Sequence, residues 1–586
     1  MLEAEPDDKR GYRSQLADLL EFHAREARPQ WWEFFDRQHR LEDELLDDTE
    51  CLAGLTLTRP PEPVKQSMVY TYRFPPQETK RKSGDEVFNV ATLERAGTIV
   101  DLDDETLIVS LKRGTKSGPL PDSLSIGPEG PVNSDQLREA IYRLAEDVLA
   151  GNNSYRALQE LLQKSRPRIH GRAGGDIIDA NQDLLDATAQ AVAGLDHSYL
   201  FIQGPPGAGK THTSAHVIVE LIRMGKKVGV SANSHKVIHN LLDKIEETAA
   251  TRGITFEGVK KSSGDDTDYN GRLIRSEGKN ANISLSAQLL AGTAWLFADD
   301  RFDRHLDFLF IDEAGQVSVA NVLAMGTAAR NIVLVGDQMQ LGQPTQGVHP
   351  GEAGLSILDF LLGDQATVAP DRGIFLDNTR RLHPSVCRFI SEAFYDGRLA
   401  PDPGNAKRRL IFGSAIAGIT PGGIHFVPVA HTGCSQKCEE EGEVIKGLYQ
   451  QLLGQQFEDK DGSVRAMTSN DILVVSPYNV QVNYLRSLLP PGAKVGTVDK
   501  FQGQEAPVVL ISMATSGAEY LPRDIEFLFS ANRLNVALSR AQCLAVVAAS
   551  PKLLATPCRT IEQLRLVNKF CLLAEYAGGT NAMKQS

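Results

Sequence analysis

The chain has 586 residues, enough for roughly three to five domains with separate cores. Its 41% hydrophobic and 23% charged content is that of a globular protein, and a net charge of −13 argues against a protein coated by nucleic acid while leaving room for a local basic channel. No apolar run reaches membrane-spanning length and the acidic start Met1-Leu-Glu-Ala-Glu-Pro-Asp-Asp is unlike a signal peptide, which points to the cytoplasm. The seven cysteines are scattered. Cys434 and Cys438 form one CxxxC with no second pair, for which reduced thiols are favoured over zinc.

In chain order, 12–48 reads as helix with apolar Leu16, Leu19, Leu20 and Phe22. Trp31, Trp32, Phe34 and Phe35 follow Pro29, and such a cluster is read as a packing anchor before a base-stacking platform. Short β-rich runs at 68–74, 87–92, 97–100 and 106–111 predict a small barrel, with 101–105 as a hairpin connection. A Gly/Pro/Ser-rich link over 114–134 then leads to helices at about 135–149 and 154–163.

Beyond Gly174 short apolar strands alternate with helix-length segments, which implies parallel, doubly wound α/β sheets. One set falls at 199–203, 227–231, 289–293, 308–311 and 332–335. The second falls at 373–376, 423–429, 471–476, 494–498, 508–513 and 544–548, with the join near 363–372. The polar, poorly periodic stretch 251–282 reads as an inserted loop, and a helix around 561–576 closes the chain.

The first of these strands runs into Gly204-Pro205-Pro206-Gly207-Ala208-Gly209-Lys210-Thr211 and a helical run, the strand–GxxxxGK[ST]–helix order of a P-loop. Its glycines let backbone N–H groups face a phosphate at a helix N-terminus. Lys210 is placed to reach the β- and γ-phosphates, and the Thr211 hydroxyl to ligate Mg²⁺. The apolar strand 308–311 ends in Asp312-Glu313, which suits Asp312 to the metal and Glu313 to the attacking water as general base. A further strand ends in Gly336-Asp337-Gln338-Met339-Gln340, where Gln340 is positioned to sense the γ-phosphate.

This order of motifs resembles superfamily 1 helicases, and Asp312-Glu-Ala-Gly-Gln316 resembles the B branch, which contains the nonsense-mediated-decay helicase and DNA-replication relatives. Four more runs carry the resemblance: Arg380-Arg381-Leu-His383-Pro384, Ser476-Pro477-Tyr478-Asn-Val-Gln481, Thr497-Val-Asp499-Lys-Phe501-Gln502-Gly503-Gln-Glu505, and Arg533-Leu-Asn-Val-Ala-Leu-Ser-Arg540. The resemblance implies an α/β fold of two RecA-like doubly wound domains with a helical stalk and a small β-barrel. Its implied boundaries are 1–50 for the stalk, 51–132 for the barrel, 133–176 for returning helices, 177–368 and 369–586 for the two motor domains.

The implied activity is ATP hydrolysis with Mg²⁺, coupled to movement on single-stranded nucleic acid, DNA favoured over RNA, in the 5′→3′ direction. A nucleotide-gated binding switch that remodels complexes without unwinding is the alternative. The catalytic set is Lys210, Asp312, Glu313, Gln340, Arg381 and Arg540, with the two arginines reaching the γ-phosphate from the second domain. Nucleotide contacts add His212, Gln316, Gly503 and Glu505 to the P-loop. Strand contacts fall to Asn233, Ser234, His235, Thr293, Pro477, Tyr478, Thr497 and Gln502, on the face opposite the phosphate-bearing loop; Trp295 either stacks on a base or packs inside. Thr379 and Arg380 depart from the family's Gln-Tyr, where Arg380 offers a guanidinium plane for stacking, and Gln190 stands one place out of register for the Gln that precedes the P-loop, so the base-recognition set is incomplete and ATP as the nucleotide is what the resemblance implies. The run Ala27-Arg-Pro-Gln-Trp31-Trp32-Glu-Phe-Phe35 resembles the linker of bacterial RecB-like nuclease–helicase fusions, which implies a nuclease domain or subunit as partner.

Overall fold

The computed structural model describes residues 7–582 apart from Glu105, Ala180, Ser263, Asp265, Asp266, Gln502, Pro522 and Arg523. It divides into two units, a smaller one of Asp18–Arg138 with Thr345–Gly354 and a larger one built mainly from Glu139–Pro344 and Leu355–Ser586.

In the smaller unit, helices Phe22–Arg37 and Glu42–Leu46 precede an antiparallel barrel. Strands Leu52–Leu57, Ser123–Gly127, Glu86–Asn89, Arg95–Asp103, Ile108–Gly114 and Ser67–Arg73 pair in that order, and Thr56 opposite Arg73 closes the ring. Alternating residues such as Leu55, Tyr70, Tyr72, Ile99, Leu111 and Ile126 fill the interior. The expected link over 114–134 therefore holds a strand. Ser123–Gly127 is short and flanked by Gly and Pro, so its composition reads as loop, yet without it the barrel has two open edges. The segment Thr345–Gly354 returns to this unit: the Glu26 carboxylate accepts from Gly347 N at 2.9 Å and lies 2.6 Å from His349 Nε2, whose ring stacks on Phe22.

The larger unit holds two parallel sheets. The first contains β1 (Tyr199–Gln203), β2 (Val228–Ser231), β3 (Gly258–Lys261), β4 (Ile274–Glu277), β5 (Leu289–Ala291), β6 (Leu306–Ile311), β7 (Ala329–Gly336) and β8 (Gly373–Phe375). Their order is β4-β3-β5-β2-β6-β7-β1-β8, all parallel. The second contains β9 (Gly423–Pro428), β10 (Ile472–Val475), β11 (Lys494–Gly496), β12 (Ala506–Ser512) and β13 (Ala541–Ala549), in the order β9-β13-β12-β10-β11. Both are covered by helices, so their strands read as continuous apolar runs; all five residues of β1 are buried. The helices used below are α1 (Lys210–Arg223), α2 (His235–Arg252), α3 (Pro384–Phe394), α4 (Glu439–Leu452) and α5 (Ala531–Leu538).

Two expectations need correction. Strand 373–376 was assigned to the second sheet, but β8 pairs with β1, Gly373 opposite Phe201, so the first sheet extends past the expected boundary at 368. Three apolar residues carry no record of which sheet they join. The stretch 251–282 is not a simple loop: it supplies β3, which lies between β5 and β4, and the edge strand β4. Its polarity hid it: Lys260 on β3 is fully buried, its Nζ 2.9 Å from His235 Nδ1 and donating to the Thr267 carbonyl. No helix among the described residues is long and apolar enough to cross a membrane.

Candidate functional site

The loops that leave the C-terminal ends of β1, β6 and β7 line a cleft of about 860 Å³, together with residues brought from beyond β8 and from the loops before β12 and β13. Ligands in open parallel sheets sit at such strand ends.

The P-loop itself is built by two left-handed glycines, Gly207 at φ +74° and Gly209 at φ +89°. Gly209 is the N-cap of α1 and offers no side-chain cap, so the first N–H groups of that helix are open to an anion. At Gly207 space matters as much as torsion. A Cβ there would lie 2.4 Å from Arg381 Cβ and 2.7 Å from Thr379 Oγ1. That close approach is bonded: Thr379 Oγ1 donates to Pro206 O at 2.8 Å and Arg380 N to Gly207 O at 2.9 Å. A few residues on, His383 N donates to Gln542 O of β13 at 2.8 Å. Lys210 Nζ donates to Gly204 O at 2.9 Å.

Across the loop, Asp312 follows β6 and is anchored by its N–H on Ser231 O at 2.8 Å. Burial, with the neighbouring Glu313 carboxylate next, pushes Asp312 up to about 7, and Lys210 only partly offsets this. Glu313 has φ 50° and ψ 44°, a left-handed backbone for a non-glycine residue, which costs on the order of 1–3 kcal/mol and turns its side chain onto the cleft. After β7, the buried Asp337 accepts from Gln340 Nε2 at 2.8 Å and from the Tyr395 hydroxyl at 2.7 Å. Tyr395 in turn accepts from Asn535 Nδ2 at 2.8 Å on α5, which also donates to Met339 O at 2.7 Å. Asn532 Nδ2 donates to Gln338 O at 2.8 Å. Gln340 thus takes its orientation from a buried network shared with the helix that leads to Arg540.

Arg381 pairs with Glu505, whose other oxygen accepts from Gln542 Nε2 at 2.8 Å. Despite burial, Arg381 and Gln542 hold Glu505 below the usual carboxylate range. Arg540 is 3% exposed; burial first and Arg381 second pull it down to about 10, so it stays charged at neutral pH. Its Nη1 donates to Gln504 O at 3.2 Å, and its buried Nε has no hydrogen-bond partner. A cleft holding Lys210, Arg380, Arg381 and Arg540 with an orphaned guanidinium N–H fits a polyphosphate, and the Asp312 carboxylate and Thr211 hydroxyl that line the same cleft are oxygen donors of the kind that fits a divalent cation.

Of the expected residues, Pro205, Pro206, Gly207, Gly209, Lys210, Thr211, His212, Asp312, Glu313, Gln316, Gln340, Arg381, Gly503 and Arg540 all line this cleft. Gly204 contributes its carbonyl to Lys210 and Ala208 is half-buried within the loop, while Glu505 faces Arg381. Arg380 also lines the cleft, beside His212, which burial and then Arg380 hold below the ordinary histidine range. Gln190 is exposed and is not among the cleft residues.

The strand-contact set is less uniform. Ser234 caps α2 by accepting from Val237 N at 3.3 Å and lines the same cleft as Lys210, so it does not lie on an opposite face. Asn233 is exposed and donates to Gln316 O, and burial followed by Lys260 pulls His235 down to about 4. Thr293, Pro477 and Thr497 are half-buried beyond the C-terminal ends of β5, β10 and β11. Tyr478 is a correction: it is 5% exposed, its ring 5.7 Å from that of Phe527, so it packs inside and offers no free face to a base. Gln502 lies outside the described residues. Sequence reasoning missed Tyr395 and Asn535. Asn535 stood inside a quoted motif, and Tyr395 had no local signal.

Two family models, each described as an AAA domain, match residues 185–353 and 358–552. The DNA polymerase alpha-associated DNA helicase A of Schizosaccharomyces pombe is 26% identical over 477 residues, covering 70% of this chain and 70% of that protein. The regulator of nonsense transcripts 1 homolog of Drosophila melanogaster is 26% identical over 432 residues, covering 64% of this chain and 35% of that protein. A solved complex of an Arterivirus nonstructural protein 10 (helicase) with DNA is similar at 13% identity over 86% of this chain and 79% of that one, with a TM-score of 0.39.

Proposed function

Because this chain is a superfamily 1 helicase of the branch that contains the nonsense-mediated-decay helicase, we propose that it hydrolyses ATP in the cleft and couples each cycle to movement along single-stranded DNA, 5′→3′. The observation that carries the reading is convergence: P-loop, Asp312-Glu313, Gln340, Arg381 and Arg540 line one cavity though drawn from both sheets' surroundings.

In this reading the N–H groups at the start of α1 and the Lys210 ammonium hold the β- and γ-phosphates, Lys210 leaving Gly204 O to do so. Thr211 and Asp312 would hold Mg²⁺, which would supply neutralising charge to the phosphate oxygens. Glu313 takes the proton of the attacking water, and Gln340, fixed by Asp337, positions that water against the γ-phosphate. Arg381 and Arg540 stabilise the charge that develops on the transferred group; a guanidinium so placed is worth on the order of 10³–10⁵ in rate. Closing and opening about these arginines moves the two sheets relative to each other. Asn233, His235, Thr293, Pro477 and Thr497 would grip backbone phosphates at the strand ends without reading sequence. The domain reading of a stalk, a barrel and two RecA-like motors belongs to the same proposal.

DNA is supported by the printed name of the Schizosaccharomyces pombe relative. A nuclease partner rests on the Ala27–Phe35 run alone, and co-purification of nuclease activity with the native protein would test it. The deciding experiment measures ATP turnover with single-stranded DNA and RNA side by side, then strand release from duplexes tailed at either end. ATP-dependent release from the 5′-tailed DNA duplex is expected. Turnover on single strands with no duplex ever opened would favour the binding switch, and turnover indifferent to nucleic acid would overturn the motor.

A further inference from the structure

Beyond β9, on the side of the second sheet away from the P-loop, the chain runs His431-Thr-Gly-Cys434-Ser-Gln-Lys-Cys438 before entering α4. A ring nitrogen of His431 and the sulfurs of Cys434 and Cys438 all lie within 4.8 Å of one another. We propose that these three side chains form a structural zinc site that braces the β9–α4 loop.

The donor set is the first ground. Two thiolates and an imidazole are soft to borderline ligands that select zinc over magnesium or calcium, and a structural zinc closes on four ligands, three of which this short loop supplies. Tetrahedral zinc with Zn–S near 2.3 Å and Zn–N near 2.0 Å separates its ligand atoms by roughly 3.4–3.8 Å, so closing from 4.8 Å needs only side-chain adjustment. Glu440 Oε2, 3.4 Å from Cys438 Sγ, stands ready to fill the fourth position directly or through water.

Support around the donors is the second ground. His431 is buried, with Nε2 3.0 Å from Glu441 Oε1, the carboxylate–histidine pairing that fixes ring orientation in metal sites. Glu441 is itself fixed, accepting from Ser512 Oγ at 2.7 Å and Ala514 N at 2.8 Å. Nδ1 is the nitrogen that would take the ion, in place of Ser516 Oγ, which lies 2.7 Å from it and accepts from Cys434 N at 2.9 Å. The backbone of Cys438 is clamped on both sides by the buried Gln481, at 2.9 Å each way. Ligands pre-set this firmly lose little on binding. Each thiol releases its proton to solvent as the ion enters.

The loop so braced is tied to the segment after β12, where Thr515 Oγ1 donates to Ser435 O at 2.8 Å and lies 3.5 Å from the Tyr478 hydroxyl. The test uses untagged full-length protein from zinc-supplemented culture, analysed for metals after gel filtration. About one zinc per chain is expected, with loss in Cys434→Ala, which leaves the backbone bonds to Ser516 in place. Replacing zinc by cobalt should give thiolate-to-cobalt charge-transfer absorption in the wild type and none in the Cys434→Ala variant. Metal-free protein that takes up no cobalt, a Cys434–Cys438 disulfide in its place, or zinc content unchanged in Cys434→Ala would each overturn the site.

Discussion

The two sheets of the larger unit treat charge in opposite ways. On the first, the functional groups bond to their own neighbourhood: Lys210 Nζ donates to Gly204 O, Asp312 accepts from the Glu313 N–H at 2.9 Å, and Gln340 is held by Asp337. On the second, Arg540 keeps a buried Nε without a partner and faces a second guanidinium, Arg381. In the proposed function the first side binds the nucleotide and the second supplies the charge that acts as the γ-phosphate leaves.

The sharpest way to break that division is Lys210→Ala. Loss of nucleotide binding and a fall in ATP turnover of at least about a thousandfold are expected, measured by titration and steady-state hydrolysis. Comparable turnover would remove the P-loop from the mechanism. Arg540→Ala should lose turnover on the order of a thousandfold while nucleotide affinity changes only a few-fold, since its charge matters when the γ-phosphate leaves. Lost affinity with turnover intact would invert the roles of the two sides.

A smaller effect should come from Tyr395→Phe, which keeps the ring and deletes the hydroxyl between Asp337 and Asn535. Removing a hydrogen bond to a buried carboxylate costs about 2 kcal/mol, and kcat should drop roughly tenfold with KM little changed. A change in melting temperature alone, with kcat untouched, would reduce Tyr395 to packing.

The smallest expected effect concerns pH. Asp312 sits at about 7 when folded against 3.8 as its ordinary value, so the native state holds its proton more tightly than the unfolded chain. Its stabilising contribution is full below the unfolded value and is lost as pH rises through about 7. Nucleotide-free wild type should therefore lose stability relative to Asp312→Asn as pH rises from about 5 to 8, read by thermal unfolding. A difference independent of pH would contradict the buried acid.

What could be read in the sequence was whatever is local. Gly204–Thr211 and Asp312-Glu313 each complete a motif within a few residues, and the loop spacing alone places them at strand ends. Tyr395 and Asp337 meet across 58 residues, and Tyr395 and Asn535 across 140, so neither pairing leaves a periodic trace. Strands β3 and β4 were lost to polarity, because a buried lysine paid for by His235 and Thr267 looks, in sequence, like solvent. Tyr478 shows the reverse error, where a motif position implied an exposed role and Phe527 covers the ring.

The bonds at either end of Arg380–His383 set a mechanical limit. Arg380 is tied to the P-loop carbonyl of Gly207, and His383 to Gln542 on the second sheet. Three residues of chain span at most roughly 11 Å when fully extended. While both bonds hold, that length caps the stroke between the phosphate cradle and β13. A tether this short makes displacement of one sheet a pull on the loop itself. Inserting glycines between Arg381 and Leu382 would lengthen the stroke without altering any charged group.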